Sequence, residues 1–274
     1  MLSSWRVAGA RAFCNGPAPG RSGIRVNSWL AQHGICSRRE ADDLIARGLV
    51  TVNGETVALG ALVPTAEDGQ EQAVVRVDPQ GQEELNAKRT FLIHKPIGIV
   101  SGQPDNSSEI PAVRLLEDLD RCAAPADIVE ALRREPNYLA GVAPCGRLDK
   151  DSTGLLVLTQ SGLVASKLLS REIEKEYLVR VAPKERITNN SLDRLQNGHL
   201  KLDGRAVWPC TVMRTDVPNV LRFILHEGRK RQIRRMCGLV GLDVTGLARV
   251  RVGKVDLDLK RGQWRTLRPD ESFF

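Results

Sequence analysis

The sequence predicts an α+β chain with two folded domains of unequal size. Near the N-terminus, a capping box and an Asn-Gly turn place two helices and a hairpin within about sixty residues. Further along, the strand-like runs GLLVLT and EKEYLVRV are followed by the amphipathic segment RQIRRMCGLV. The chain has 274 residues, 42% of them hydrophobic, so it is long enough for two domains and can bury a core.

Composition and charge limit the classes of partner. The formal net charge of +7 indicates an anionic partner, either a nucleic acid or an acidic membrane surface. No apolar run approaches the roughly 20 residues that cross a bilayer, so we expect no membrane insertion. The six cysteines show no CxxC spacing, which argues against a zinc ribbon and favours reduced thiols in a reducing compartment.

Residues 1–23 have the composition of a leader. The first acidic residue is Glu40, whereas arginine and serine recur before it, as in mitochondrial or plastid transit peptides. The alternative is a disordered leader on a cytoplasmic protein, which the glycines and prolines of this segment also allow. We expect import into a mitochondrion or a plastid.

Residues 24–78 form the first predicted domain. Val26, Trp29 and Leu30 have helical spacing, and Gly34 ends that helix. Ser37 and Glu40 form a capping box for a second helix. Asn53-Gly54 then joins two β-prone runs, which indicates a hairpin with a type I′ turn.

Arg38 and Arg39 lie in the first turn of the second helix, where the helix dipole disfavours cations. A phosphate group would be stabilised by both arginines and by the free N–H groups, although a solvated surface explains them almost as well. The stretch RVNSWLAQHGICSRREADDLIARGLVTVNG resembles the S4 RNA-binding domain. The resemblance implies a module that docks on structured RNA through its helix pair, without catalysis.

Residues 79–89 have the composition of an interdomain linker, and residues 90–274 form the second predicted domain. This domain begins with FLIHKPIGIV, a short strand followed by a turn at Lys95-Pro96. The connection between Asp105 and Ala143 is less regular, and we expect helices at 113–119 and 128–134.

Several catalytic machineries are excluded by the motifs that the sequence lacks. It contains no GxxxxGK[ST] loop, GxGxxG turn, HExxH helix or GxSxG elbow. The four histidines are dispersed, without the spacing of metal ligands. We therefore expect neither a cofactor nor a metal.

Asp149 is the most suggestive carboxylate. It lies between Arg147 and Lys150 in GRLDKDSTG, and neighbouring cations favour the ionised form that a nucleophile or an electrostatic stabiliser needs. An ordinary Asx turn or helix cap is the alternative. The buried-strand run GLLVLT that follows favours a catalytic role, because a turn that leads into such a strand is held rigidly.

Tyr177 lies in a predicted strand, on the same face as Val179 and Val181. Two interpretations stay open for it. Its ring packs in the core with a hydrogen-bonded hydroxyl, or it stacks on a base or transfers a proton.

The segment HEGRKRQIRRMCGLVG is the most basic part of the chain. Its apolar residues have helical spacing, which predicts an amphipathic helix with one cationic side. A charge run is often only a solvated face, but the excess of cations here favours a phosphate-binding surface. The cations are Arg229, Lys230, Arg231, Arg234 and Arg235.

Together these segments resemble the RsuA-type pseudouridine synthases, in particular the F-type enzymes of large-subunit rRNA. The resemblance rests on the S4 stretch, KPIGIVS, GRLDKDSTGLLVLTQSG, EKEYLV and EGRKRQIRRMCGLVG, in family order. It implies a catalytic domain with a mixed, largely antiparallel sheet and a reaction without a cofactor. Asp149 would be the catalytic aspartate, Tyr177 would stack on the flipped uracil, and Arg234 would pair with Asp149.

The resemblance also implies an RNA-binding surface and a structural motif. Arg147 and Lys150 are expected to contact RNA phosphate. The motif residues are Lys95, Pro96 and Gly146. The full set of expected RNA-binding residues is Arg38, Arg39, Arg147, Leu148, Lys150, Arg229, Lys230, Arg231, Gln232 and Arg235.

We expect a monomer that isomerises a uridine of ribosomal RNA, bound to the large-subunit precursor. Two alternatives stay open: a ribosome-assembly factor with the same fold that acts by scaffolding, and a tRNA-directed synthase. The segment 105–143 is longer than the usual connection in the family, so the substrate RNA is not fixed by the resemblance.

Overall fold

The computed structural model describes residues 23–64 and 73–274. The chain divides into two compact units, residues 1–87 and 88–274. The expected leader, residues 1–23, lies outside the described residues except for Gly23. In the described ranges, no helix is both long enough and apolar enough to span a membrane.

The first unit contains the expected helices and hairpin. The Ser37 backbone N–H donates to the Glu40 carboxylate (2.7 Å) and the Glu40 N–H to the Ser37 hydroxyl (3.4 Å), so the capping box is confirmed. Asn53 and Gly54 both have positive φ, as a type I′ turn requires. The elements are β1 (Gly23–Arg25), α1 (Val26–Gln32), α2 (Arg38–Ala46), β2 (Val50–Val52), β3 (Glu55–Thr56), β4 (Leu62–Pro64), β5 (Val75–Val77) and α3 (Pro79–Asn86).

Helix α3 occupies most of the segment that composition assigned to a linker, so that expectation is wrong. Asp78 caps the helix by accepting the N–H of Gln80 (2.9 Å), and Pro79 has its φ preset at the first helical position. Gly81 packs so closely that a Cβ there would lie 2.9 Å from the Leu44 side chain. The polar composition of residues 79–89 favoured a linker, although Asp78 and Pro79 are both typical of a helix start.

The second unit is built on a mixed sheet. Its strands run in the order β12-β13-β9-β14-β8-β6-β16; β14 pairs with β8 in parallel and the other neighbours along this path are antiparallel, which confirms the expected architecture. The strands are β6 (Thr90–Lys95), β7 (Ala143–Pro144), β8 (Thr153–Thr159), β9 (Lys175–Ala182), β10 (Lys201–Leu202), β11 (Arg205–Ala206), β12 (Thr211–Arg214), β13 (Val220–Leu225), β14 (Asp243–Val252), β15 (Val255–Asp256) and β16 (Trp264–Thr266).

Helices cover the sheet and its connections. The α-helices are α4 (Ala126–Arg134), α5 (Gly162–Leu169), α6 (Asn189–Gln196) and α7 (Gln232–Leu239). The connection 105–143 holds α4 and two 3-10 helices, Ala112–Glu117 and Leu119–Arg121, close to the expected helical positions. A further 3-10 helix spans Lys184–Arg186.

Strand β8 is buried on both faces. Leu156 and Leu158 join one hydrophobic cluster, whereas Leu155 and Val157 join another that includes Leu168 of α5. This explains why its sequence is a continuous apolar run rather than an alternating one. The start of β8 is therefore fixed by core packing on both sides of the sheet.

Candidate active site

The loop 146–152 leads into β8 and carries Asp149. Leu148 is buried, and the hydroxyl of Ser101 both donates to its carbonyl (2.6 Å) and accepts from its N–H (2.8 Å). The Gly98 N–H donates to the carbonyl of Lys150 (2.8 Å), and the Ser152 N–H donates to that of Asp149 (3.0 Å). Hydrogen bonds thus hold the loop backbone both before and after Asp149.

Glycines permit this path of the chain. Gly146 has φ +79° at the start of the loop. Gly154, in β8, has φ +111°, and a Cβ there would lie 2.5 Å from the backbone nitrogen of Arg249 in β14 and closer still to its carbonyl oxygen. Only glycine lets the two strands approach so closely at that point.

Arg231 provides the nearest cation to Asp149. Its Nη1 atom lies 3.8 Å from Oδ2 of Asp149, whose side chain is 32% exposed. The same guanidinium binds Asp151 in a bidentate fashion, with Nη1–Oδ1 and Nη2–Oδ2 distances of 3.1 and 3.0 Å. The two carboxylates of the loop therefore share one guanidinium, unequally.

Arg234 does not pair with Asp149, so that expectation is wrong. Its Nη2 atom lies 3.2 Å from the Asp151 carboxylate and donates to the Asp151 carbonyl (3.0 Å) and the Ser152 hydroxyl (3.3 Å). Its Nη1 atom donates to the carbonyl of Val244 (3.1 Å). These contacts hold the side chain against β14 and the end of the loop, and they direct it to the second aspartate.

Lys95 is a third cation behind the loop. It is fully buried, and its Nζ donates to the carbonyls of Pro96 (2.9 Å) and Ile99 (2.7 Å). Burial lowers the pKa of Lys95 to about 8, against the attraction of Asp149 and Asp151, which raises it. The expected structural motif Lys95-Pro96 thus also adds positive charge near both carboxylates.

Tyr177 lies in β9, opposite Phe223 of β13 on one side and Arg249 of β14 on the other. Its ring is half-buried and packs against two clusters: one contains Val179 and Val181, as expected, and the other contains Leu148. Within the described part of the chain its hydroxyl has no hydrogen-bond partner. The ring therefore packs between two hydrophobic clusters, with its hydroxyl free.

The basic segment is only partly a helix. Helix α7 begins at Gln232, and Ile233, Met236 and Cys237 are buried as the apolar stripe predicted. Arg231 is its N-cap residue, with a left-handed backbone (φ 51°, ψ 34°), so Arg229, Lys230 and Arg231 belong to the preceding loop. This correction matters, because a loop residue can turn toward Asp149 whereas a helical one would follow the helix surface.

Three of the expected RNA-binding residues have structural roles instead. The side chain of Leu148 packs in the core. Gln232 is buried and donates to Glu227 (2.7 Å) while accepting the N–H of Arg229 (2.9 Å). The guanidinium of Arg229 binds Glu227 (3.2 Å) and carbonyls of the β10–β11 hairpin, including that of Ala206. The side chains of these three residues are thus held by core packing or by hydrogen bonds within the second unit.

Two more of the expected RNA-binding residues are paired at the surface. Lys150 binds Glu109 of the long connection (3.0 Å), and Arg235 binds Asp203 (2.9 and 2.7 Å). A sixth, Arg231, binds Asp151 as described above. The remaining four have no ion pair within the described ranges and are free to bind phosphate: Arg38, Arg39, Arg147 and Lys230.

Sequence reasoning missed Asp151, Ser101 and Ser152. Asp151 follows Asp149 by two residues in GRLDKDS, and a second acid among the same cations was the signal that could have identified it. The two serines gave no such signal, because their contacts depend on residues far away in the sequence. Within the described residues, no group of three or more His, Cys, Asp or Glu side chains is arranged to hold a metal ion.

The chain is similar to known proteins over most of its length. The family model described as RNA pseudouridylate synthase matches residues 89–238, and that of the S4 domain matches residues 24–67. The dual-specificity RNA pseudouridine synthase RluF of Escherichia coli K12 is 36% identical, covering 91% of this chain and 77% of that protein. Ribosomal large subunit pseudouridine synthase B of Bacillus subtilis is 30% identical, covering 90% of this chain and 93% of that protein.

A solved structure agrees with these sequence similarities in its fold. The crystal structure of a pseudouridylate synthase superposes with a TM-score of 0.54 at 23% identity, covering 89% of this chain and 96% of the other.

Proposed function

The chain belongs to the RNA pseudouridylate synthase family, and we propose that it isomerises a uridine of large-subunit ribosomal RNA to pseudouridine, with Asp149 as the reacting carboxylate. The observation that carries this proposal is the position of Asp149. It is a partly exposed carboxylate on a loop fixed by Ser101 and the start of β8, with Arg231 3.8 Å away and a free tyrosine hydroxyl at Tyr177.

The arrangement suits an isomerisation at the anomeric carbon. The target uridine is flipped out of the RNA and its base stacks on Tyr177. Asp149 attacks the uridine or its ribose as the N-glycosidic bond breaks, and the detached ring rotates. C5 then bonds to the ribose while the bond to Asp149 breaks and frees the carboxylate. C5 loses its proton to water, and N1 of the product carries a proton in its place. Arg231, whose Nη1 atom lies 3.8 Å away, and the buried Lys95 place positive charge near this carboxylate.

Phosphate contacts offset the cost of flipping the base. Unstacking a base costs a few kcal/mol, and the exposed cations Arg147 and Lys230 flank the loop and the start of α7. Arg38 and Arg39 offer a second basic site on the S4 domain, at the N-terminal end of α2. Such contacts position the RNA without reading its sequence.

The choice of ribosomal RNA rests on relatives. The name of the Bacillus subtilis relative specifies the large ribosomal subunit, and that of the Escherichia coli relative specifies dual specificity. We propose that the chain binds the large-subunit precursor as a monomer during ribosome biogenesis. Its acid-free leader supports import into a mitochondrion or plastid, and a reporter fused to residues 1–23 that stayed in the cytosol would exclude this.

The reaction releases the hydrogen at C5 of uracil, which gives a direct assay. RNA labelled with tritium at C5 of uridine is incubated with the protein, as separate rRNA and tRNA fractions, and tritium in water is counted. We expect release from rRNA by the wild type and none by Asp149→Asn, which keeps the shape of the side chain but removes its charge. Release from tRNA alone would contradict the rRNA assignment, and full activity of Asp149→Asn would contradict the role of Asp149.

A further inference from the structure

We propose that Asp151 is a positioning residue of the active site: it clamps the guanidinium groups of Arg231 and Arg234 beside Asp149 and so leaves the Asp149 carboxylate open to the uridine. This inference rests on the proposed role of Asp149 as the reacting group.

Arg231 is hydrogen-bonded to Asp151 but only approaches Asp149. Both terminal nitrogens of Arg231 are within 3.1 Å of the Asp151 oxygens, which is hydrogen-bonding distance for a charged pair. Its Nη1 atom lies 3.8 Å from Oδ2 of Asp149, which is too long for a hydrogen bond but close enough for electrostatic attraction. Asp149 therefore lies near the positive charge of Arg231 but accepts no hydrogen bond from it.

Arg234 is the second guanidinium that Asp151 binds. Its Nη2 atom contacts both the carboxylate and the backbone carbonyl of Asp151, at 3.2 and 3.0 Å, and its side chain is only 13% exposed. Partial burial raises the pKa of Asp151, but the hydrogen bond from Arg231 and the charges of Arg234 and Arg231 outweigh it and lower the pKa overall. Asp151 therefore remains ionised as the acceptor of both guanidiniums.

The clamp has a chemical reason. A guanidinium that binds a carboxylate through two parallel hydrogen bonds occupies both of its oxygens, so a carboxylate bound in this way is a poor nucleophile. Without Asp151, the nearest carboxylate for Arg231 is Asp149, and only a small movement of this surface side chain separates them. Asp151 prevents that pairing.

The backbone of Arg231 agrees with a functional position. Its left-handed conformation (φ 51°) is costly for a non-glycine residue and is fixed by the start of α7. The Arg231 side chain therefore starts from a fixed backbone position and reaches the loop 146–152, where binding to Asp151 sets the position of its guanidinium.

The clamp predicts that a second substitution, at Arg231, partly restores the rate that is lost when Asp151 is replaced. Asp151→Asn releases Arg231 onto Asp149, and we expect the single-turnover rate of tritium release to fall about 10- to 100-fold, the scale for a misplaced catalytic group. RNA binding should be retained, so the loss appears in the rate at saturation rather than in the RNA concentration for half-saturation. Adding Arg231→Gln removes the intruding guanidinium and should raise the rate above that of Asp151→Asn alone.

A matched control is available at Asp203, between β10 and β11. Asp203 binds Arg235 of α7 in the same bidentate manner, so Asp203→Asn removes a similar ion pair and should leave the rate unchanged. Melting temperatures are measured for every variant. If Asp151→Asn unfolds, Asp151→Ser replaces it in the cycle with the same expected result.

The outcomes separate the clamp from the proposed function. An inactive Asp149→Asn with a fully active Asp151→Asn would overturn the clamp while leaving the role of Asp149 intact. A double variant no faster than Asp151→Asn would assign Asp151 a merely structural role and overturn the clamp as well. An active Asp149→Asn would overturn the role of Asp149 itself.

Discussion

The close approach of β8 and β14 at Gly154 makes that glycine the most sensitive point near the active site. Gly154→Ala introduces a Cβ 2.5 Å from the Arg249 backbone nitrogen, in a residue with φ +111°. The neighbouring atoms are backbone of a central strand and cannot move aside cheaply. The substitution therefore combines backbone strain with a steric clash.

The expected loss of stability follows from these two contributions. Left-handed strain costs about 1–2 kcal/mol, and overpacking against fixed atoms costs about 1–3 kcal/mol more. The free energy of unfolding of the catalytic domain should fall by about 4 kcal/mol in total. For a domain of this size, that corresponds to a melting temperature lower by about 8–16 °C.

Differential scanning calorimetry of the full chain measures this shift, and Gly98→Ala is the matched control. Gly98 also has positive φ (+92°), but in the described part of the chain no atom lies within 4 Å of its Cβ position. Its substitution isolates the strain and should lower the melting temperature by only about 2–8 °C. Equal shifts for the two variants would refute the argument that strand β14 is what requires a glycine at position 154.

Three further predictions concern neighbouring charges and the S4 domain. Arg229→Met removes the guanidinium that holds the β10–β11 hairpin and should lower the free energy of unfolding by about 2 kcal/mol in urea titrations. Lys230 is exposed, so Lys230→Met should leave stability unchanged and reduce the salt dependence of RNA binding. The reverse pattern would contradict these roles. Burial, and secondarily Arg249, lowers the pKa of Lys175 from 10.5 to about 8. Between pH 8 and 10.5 the unfolded chain therefore binds more protons than the folded one, so the stability of the wild type should rise with pH relative to that of Lys175→Met. Parallel curves of unfolding free energy against pH for the two proteins would contradict this. Ser37→Ala should destabilise the S4 domain by about 1 kcal/mol by thermal unfolding, and no change would mean that the capping box of α2 is dispensable.

Features that depend on neighbours in the sequence were predicted well. The capping box of α2, the Asn53-Gly54 turn and the buried stripe of α7 all arise from residues within about four positions of one another. The same is true of β8, whose continuous apolar run indicated a strand buried on both faces. The segment 79–86 failed because its polar composition outweighed the cap at Asp78 and the proline at the first helical position.

Ion pairing was predicted less well, for a geometric reason. Arg231 and Arg234 are three residues apart, and both lie about eighty residues from the aspartates. Which of them meets Asp149 depends on where α7 begins, and it begins one residue after Arg231. An ion pair is decided within about 4 Å, a precision that residue spacing does not provide.

The sequence by itself determined the family and the two-domain α+β organisation, and it pointed to Asp149 and its neighbouring cations as the candidate site, because these depend on local motifs and on residue type. Only the tertiary structure decided that Arg231 rather than Arg234 faces Asp149, that Asp151 holds both arginines, and that Gly154 must lack a side chain. Those features depend on strands and loops that are distant in the chain and meet only when the sheet is assembled. Their physical origin is the packing of β8 against β14 and the path of the loop before α7.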